Sequence, residues 1–239
     1  MQIEFLPIKT RIVHPPQDDI WDIIESLEVK DGDIVFITSK IIAIHQGRTR
    51  KVGEIEKSAL IREEAERMLP RQEPAGRPTT NLTIVQGTLI LAAGIDQSNA
   101  DGYYILWPQE IDQFCQKVRM HLMTKFNLKR LGVVATDSHS SPLRAGVTGL
   151  TIGLAGVEPL RDIRGSKDLF GRSLEITRVN LIDPITSMAV SVMGENAECT
   201  PIVIARGDMN LSFNDTASMQ DLKISPDLDY YRPLLEVLK

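Results

Sequence analysis

Cysteine is scarce in this chain. Cys115 and Cys199 are the only two among 239 residues, they stand far apart, and neither belongs to a Cys-x-x-Cys pair. A disulfide or zinc framework is thereby disfavoured, and a reducing cytoplasm is the expected location. Long apolar runs are missing as well. No stretch approaches the ~20 apolar residues of a membrane span, and the polar opening Met1-Gln2-Ile3-Glu4 does not read as a secretory signal. Basic residues are not in excess: 27 Lys and Arg against 32 Asp and Glu leave a formal charge of −5. That is a poor match to nucleic acid, where cationic patches supply most of the affinity. Neither standard glycine cradle for nucleotide phosphate, G-x-x-x-x-G-K-[ST] or G-x-G-x-x-G, occurs. Asp137-Ser138-His139-Ser140-Ser141 lacks a G-x-S-x-G elbow, and sequence neighbours rarely face one another as a triad requires, so a serine nucleophile is not read there. His14, His45 and His121 have no partner at metal-ligand spacing and read as surface or packing residues. No internal repeat is found.

What is present is ordinary globular material, 42% hydrophobic and 25% charged, enough for one large core or two small ones. The run Asp33–Thr38 is apolar and β-branched, a buried strand that delivers Ser39 and Lys40 at its end. Glu54–Leu69 has helical spacing and stops at Pro70, and the proline-rich Pro70–Thr80 reads as a loop. Leu82–Val85 and Leu89–Ala93 form a hairpin turning at Gln86-Gly87. Pro108 opens a helix whose apolar face is Ile111, Phe114, Cys115, Val118, Leu122 and Met123, which makes Cys115 a core residue. Leu131–Ala135 is a second buried strand, Leu174–Leu181 alternates as a half-exposed one, and Pro201–Ala205 is a last core strand. Asp183-Pro184 starts a helix that ends at Gly194. The glycines at 146, 149, 153 and 156 mark close packing of a strand. Strands follow one another without regular βαβ alternation, so the expected class is α+β, with mixed or antiparallel sheets and flanking helices.

Three acids stand where chemistry is easily placed. Asp96, Asp137 and Glu195 each follow a buried element, rigid in position yet able to reach a cleft. A hard cation such as Mg²⁺ or Mn²⁺ uses such fixed oxygens and leaves its other positions to water and phosphate. Ser138 adds a hydroxyl beside Asp137, and Lys40 at a strand end can set a positive charge against phosphate. The pattern alone leaves open that each acid merely ends its element and faces solvent.

Several segments resemble the gamma-glutamyl ligase of coenzyme F-420. They are Thr38-Ser39-Lys40 with Gln46-Gly47-Arg48, then Ala93-Gly94-Ile95-Asp96-Gln97-Ser98-Asn99, then Thr136-Asp137-Ser138 and the glycine block 149–156. Leu160–Gly165, Asp168–Arg172, Val192–Glu195 and Ala205–Gly207 continue the match in order. The resemblance implies a gamma-glutamyl ligase-like fold in an intertwined homodimer. It also implies a catalytic domain over residues 1–207, with room for two subdomains, and a tail over 208–239 ending in a short helix.

The chemistry implied is amide formation between L-glutamate and an acceptor carboxylate through an acyl phosphate. GTP or ATP is the co-substrate, with two divalent ions, Mg²⁺ or Mn²⁺. Carried over by position, Asp96 and Asp137 hold one metal, and Ser138 and Glu195 contribute to a second. Ser39, Lys40, Asn99 and the backbone from Met193, Gly194, Glu195 and Asn196 to Thr200 contact the nucleotide. Asp96 and Asp137 count as catalytic, and Arg144 joins them as a clamp for carboxylate or phosphate, with Arg161, Arg164 and Arg172 as companions.

The chain departs from that pattern at His139-Ser140-Ser141, at Ile44, and at Arg11–Pro16, which replaces a Gly-Leu-Pro loop. It also has the aromatic run Tyr103–Trp107. The departures resemble a bacterial branch described as folate-metabolism gamma-glutamate ligases. Two other readings stay open: a metal-dependent phosphohydrolase, and a nucleotide-binding regulatory protein without turnover.

Overall fold

A computed structural model of the chain describes residues 3–69 and 81–236. The strands in chain order are β1 (Glu4–Ile8), β2 (Ile34–Thr38), β3 (Thr49–Lys51), β4 (Arg67–Met68), β5 (Leu82–Val85), β6 (Thr88–Leu91) and β7 (Tyr103–Ile105). They continue with β8 (Gly132–His139), β9 (Thr148–Val157), β10 (Leu160–Asp162), β11 (Arg178–Asn180), β12 (Ile202–Arg206) and β13 (Phe213–Asn214). The α-helices are α1 (Trp21–Glu25), α2 (Ser39–His45), α3 (Lys57–Glu64), α4 (Ile111–Phe126), α5 (Ile182–Met193) and α6 (Arg232–Leu235).

Six strands make the central sheet, in the order β1-β12-β2-β8-β9-β13. Only β2 and β8 run parallel within it; the other pairs are antiparallel. The expected α+β architecture is therefore the observed one. Successive residues of β2 point to opposite faces, and both faces are apolar. Val35 and Ile37 join one core with α1, α2 and α4, while Ile34 and Phe36 join another with α5 and residues of the tail. That two-sided burial explains why the strand reads as an unbroken apolar run.

Close approach of helices to β9 depends on its glycines. A Cβ at Gly149 would lie 2.7 Å from Val190 of α5, and one at Gly153 would lie 2.2 Å from Ile111 of α4. The close packing expected here holds at those positions, whereas Gly146 sits on an open turn with nothing near it.

Several element boundaries differ from the sequence expectation. The helix expected over 54–69 spans only Lys57–Glu64, because Arg67 and Met68 instead pair with β5. The helix expected from Pro108 begins at Ile111. Of the strand expected over 174–181 only Arg178–Asn180 pairs, with Leu160–Asp162. Helix α5 starts at Ile182 rather than being capped by Asp183: the Asn180 side chain accepts from the Asp183 amide, and Asp183 accepts from the Thr151 amide of β9. The hairpin turns where expected, with Gln86 and Gly87 both at positive φ, the backbone a two-residue hairpin turn requires. Its second strand, however, is Thr88–Leu91, and Ala92 and Ala93 leave it for a tight turn. The loop expected over 70–80 lies outside the described residues. Cys115 is fully buried.

The tail closes the far edge of the sheet. Phe213 and Asn214 pair with β9, and Arg119, buried in α4, donates to Asp215 and to the Leu131 carbonyl. Among the described residues no helix is long and apolar enough to cross a membrane.

Candidate active site

The parallel pairing of β2 with β8, and the antiparallel pairing of β12 with β2, bring three chain segments to one end of the sheet. Thr38 aligns with Thr136, and the Thr38 amide donates to the carbonyl of Pro201 just before β12. A cavity of about 680 Å³ opens there, within the usual range for small-molecule sites. Ser39, Lys40, Asp96, Asn99, Asp137, Ser138, Met193, Gly194, Glu195, Asn196 and Thr200 all line it. The three acids that sequence reasoning could only list do converge.

Asp137 lies inside β8 rather than after it, two residues past a register slip between Ala135 and Thr136. Such a bulge re-aims the side chains that follow. Burial pushes the Asp137 carboxyl up to about 7, with the nearby Asp96 charge adding to the rise; the Ser138 amide, the Ser39 hydroxyl and Lys40 act against it. Ser39 is the first residue of α2 and is buried, which holds its hydroxyl against Asp137.

Asp96 is positioned by backbone. Its amide and carbonyl bond to Ile105 on β7, after three residues at positive φ: Ala92 (53°), Ala93 (54°) and Gly94 (70°). Two consecutive non-glycine residues in that region store strain that the surroundings must over-determine. Thr83, fully buried, accepts from the Ala93 amide at 2.9 Å. Trp107 packs so close to Gly94 that a Cβ there would lie 2.1 Å from its ring. No motif signals Thr83, and Trp107 is visible only as the end of the aromatic run 103–107; both act through the backbone of the loop they hold.

The Asp96 carboxylate is saturated. Its Oδ1 accepts from the Gln97 and Ser98 amides at 2.6 and 2.9 Å, and its Oδ2 from the Ser98 hydroxyl at 2.8 Å. Lys40 Nζ lies 2.6 Å from Oδ2. Burial alone would raise this carboxyl, but the Lys40 ammonium and the Ser98 groups together hold it below the usual carboxylate range.

The opposite wall is the segment 194–200. Ser138 Oγ donates to Glu195 Oε2 at 3.2 Å, the Asn99 side chain donates to the Asn196 carbonyl at 2.7 Å, and Thr200 donates to the Met193 carbonyl. Glu198 and Cys199, not singled out in the sequence, also face the cavity, and the Glu198 carboxylate accepts from the Asn196 amide at 2.8 Å. A third wall is Thr10–Pro15, so His14 is a cavity residue rather than a plain surface one.

The four arginines are placed elsewhere. Arg144 sits on the exposed turn between β8 and β9, and Arg161, Arg164 and Arg172 belong to the region around β10 and β11; none lines the cavity. Arg161 donates to the Asn210 carbonyl and Arg164 pairs with Asp162. Arg11 does line the cavity, but its guanidinium is tied to Asp18 and Asp22.

Among the described residues no three His, Cys, Asp or Glu groups stand together as a ready-made metal cluster. The donors expected from the sequence are all oxygens, the carboxylates of Asp96, Asp137 and Glu195 and the Ser138 hydroxyl, and His14, Glu198 and Cys199 border the same cavity. A crowded, partly buried pair of carboxylates with one ammonium nearby is under-compensated for charge. That fits a hard cation that takes one or two carboxylates and fills its remaining positions with water and phosphate.

Comparison with known proteins shows the family of the chain. Residues 7–207 match the family described as F420-0:Gamma-glutamyl ligase. The chain is 36% identical over 222 residues to a coenzyme F420:L-glutamate ligase of Methanopyrus kandleri, covering 87% of each chain. It is 30% identical to the protein of the same name in Archaeoglobus fulgidus, covering 99% of each. With that of Methanocaldococcus jannaschii it shares 32% identity over 80% of this chain and 82% of the relative. The chain belongs to the F420-0:gamma-glutamyl ligase family and is an enzyme of the gamma-glutamyl ligase class.

Proposed function

We propose that this enzyme joins L-glutamate to an acceptor carboxylate in an amide bond, consuming GTP or ATP with two divalent ions, Mg²⁺ or Mn²⁺. The observation that carries the reading is the convergence of Asp96, Asp137, Ser138 and Glu195 with Ser39, Lys40 and Asn99 on one cavity. Asp96 and Asp137 would hold one ion and Ser138 with Glu195 the other. When bound, the ions supply charge neutralisation for phosphoryl transfer. The chain's own residues do the positioning. Thr83 and Trp107 fix the Asp96 loop, Ser39 steadies Asp137, and Asn99 with the backbone of residues 193–200 frames the nucleotide.

Activation is needed because a carboxylate is a poor electrophile until one oxygen becomes a good leaving group. Phosphorylating the acceptor achieves this, and the glutamate amine then displaces phosphate. The relatives are named for coenzyme F420, which makes the deazaflavin precursor the first acceptor to test. The changed segment Arg11–Pro16, of which residues 11–15 line one wall of the cavity, supports altered nucleotide and acceptor pockets, and folates are the next acceptors to test.

A second copy of the chain belongs to this reading. Leu143, Leu169 and Phe170 are 99%, 98% and 95% exposed, so the β8–β9 turn and the β10–β11 ribbon present apolar side chains to solvent. Covering them in a homodimer would also bring Arg144 out of isolation.

The test is a mass-spectrometric coupling assay with L-glutamate, GTP or ATP, Mn²⁺ and a panel of deazaflavin and folate acceptors. A product heavier by one glutamyl residue, lost on adding a chelator, is expected. Phosphate release without glutamate would favour a phosphohydrolase instead, and tight nucleotide binding without any product would favour a regulatory protein.

A further inference from the structure

Lys40 has no donor to spare. Its ammonium donates to the Ser98 carbonyl at 2.7 Å and the Ser98 hydroxyl at 3.0 Å, and it lies 2.6 Å from Asp96 Oδ2. An ammonium has three N–H groups, and all three are committed. In this arrangement Lys40 cannot also grip a phosphate, and Asp96 Oδ2, which already takes Lys40 and the Ser98 hydroxyl, cannot also bind a cation. Both groups nevertheless border the cavity, and the Asp96 side chain is 46% exposed, so an ion arriving from solvent can reach it.

We propose that Lys40 is an exchangeable counterion. It neutralises Asp96 while the site is unloaded, and a divalent cation displaces it, freeing the ammonium to turn toward the phosphates. This rests on the metal- and nucleotide-dependent reading above. The exchange keeps the Asp96 charge compensated in both states. It also couples the ligands: the cation releases the lysine that a phosphate needs, and by linkage a phosphate that holds the lysine favours the cation. Lys40 is thus a positioning residue whose first role is to compete with the metal.

Two measurements on the whole protein test this. In the first, Mn²⁺ is titrated into wild type and Lys40→Gln without nucleotide, and free Mn²⁺ is read by electron paramagnetic resonance. Removing the competitor should tighten Mn²⁺ binding about three- to tenfold. In the second, wild type is acetylated with an N-hydroxysuccinimide ester, with and without saturating Mn²⁺, and modification is read by mass spectrometry. Labelling of Lys40 should rise several-fold with Mn²⁺, while that of exposed Lys129 should stay constant. Equal or weaker Mn²⁺ binding by Lys40→Gln, or unchanged Lys40 labelling in Mn²⁺-loaded wild type, overturns the exchange and leaves the metal reading intact. Absence of Mn²⁺ binding by wild type overturns both.

Discussion

The two ends of the central sheet treat charge in opposite ways. Where β2 begins, Asp33 is 1% exposed, and it accepts from Arg206 Nε and Nη2 at 2.9 and 2.7 Å and from the Lys30 amide at 2.7 Å. Beside it, Arg130 donates twice to Asp31. Each acid has a guanidinium fork matched to it, and hydrogen bonding to Asp33 raises the Arg206 pKa further. Where β2 ends, Asp96, Asp137 and Glu195 share a cavity with one lysine, and the Asp137 carboxyl is raised to about 7. The same sheet thus carries one satisfied end and one frustrated end. Breaking a satisfied buried pair is costly to the fold, while the cluster with more acids than cations is where the proposed metal would bind.

Substitutions should separate the two ends. The largest expected effect is on turnover. Asp137→Ala removes a proposed metal ligand, and a metal of that kind is worth several kcal/mol in the transition state, so kcat should fall about a thousandfold. Steady-state coupling assays would show it, and retention of full turnover would refute the assignment. The mirror experiment is Asp33→Asn. Leaving Arg206 without its partner should cost about 3 kcal/mol, a fall in Tm of roughly 6–12 °C, while kcat per folded molecule stays within about twofold. Thermal melts and active-fraction assays together decide this. If Asp33→Asn lost activity without losing stability, the contrast between the ends would collapse.

Smaller effects sharpen the picture on the loop that carries Asp96. Gly94→Ala must place a Cβ against Trp107 at positive φ, which should cost about 2–4 kcal/mol in denaturant unfolding and weaken Mn²⁺ binding as well. Thr83→Val removes the acceptor for the buried Ala93 amide. Its expected cost is about 1–2 kcal/mol, with a modest rise in KM and a well-folded circular dichroism spectrum.

Much of the frame is legible in the amino-acid order. The apolar runs 33–38, 131–135 and 201–205 read as buried strands because each is apolar on both faces. The acids 96, 137 and 195 are noticeable because each follows such rigid material. Their convergence is not legible. It depends on the parallel register of β2 with β8, which pairs Thr38 with Thr136 across nearly a hundred residues of chain, and no local pattern records that pairing. The helix expected over 54–69 shortened for a related reason: Arg67 and Met68 gain hydrogen bonds from β5 that spacing cannot anticipate. The arginines chosen for their chemistry fell outside the cavity, since guanidinium chemistry says nothing about location. Nothing in the sequence marks Thr83, and the aromatic run marks Trp107 without its role, because the work of both is to hold backbone.

At the site end, the buried Asp137 carboxyl is the group whose charge the proposed cation would offset. In the unloaded protein Asp137 ionises less readily when folded than when unfolded, because its pKa rises from 3.8 to about 7. The unfolded chain therefore holds fewer protons between those values, and stability falls as pH rises through that window. Asp137→Asn removes this slope. The most direct measurement is a set of thermal melts of wild type and Asp137→Asn at pH 5 and pH 8, each with and without Mn²⁺ and GTP. The expected result is that unloaded Asp137→Asn is more stable than wild type at pH 8, by about 1–3 kcal/mol, with a smaller difference at pH 5. Mn²⁺ with GTP should then raise the wild-type Tm far more than that of the variant. A variant that melts below wild type at pH 8, or that gains as much from the ligands as wild type does, would contradict the account.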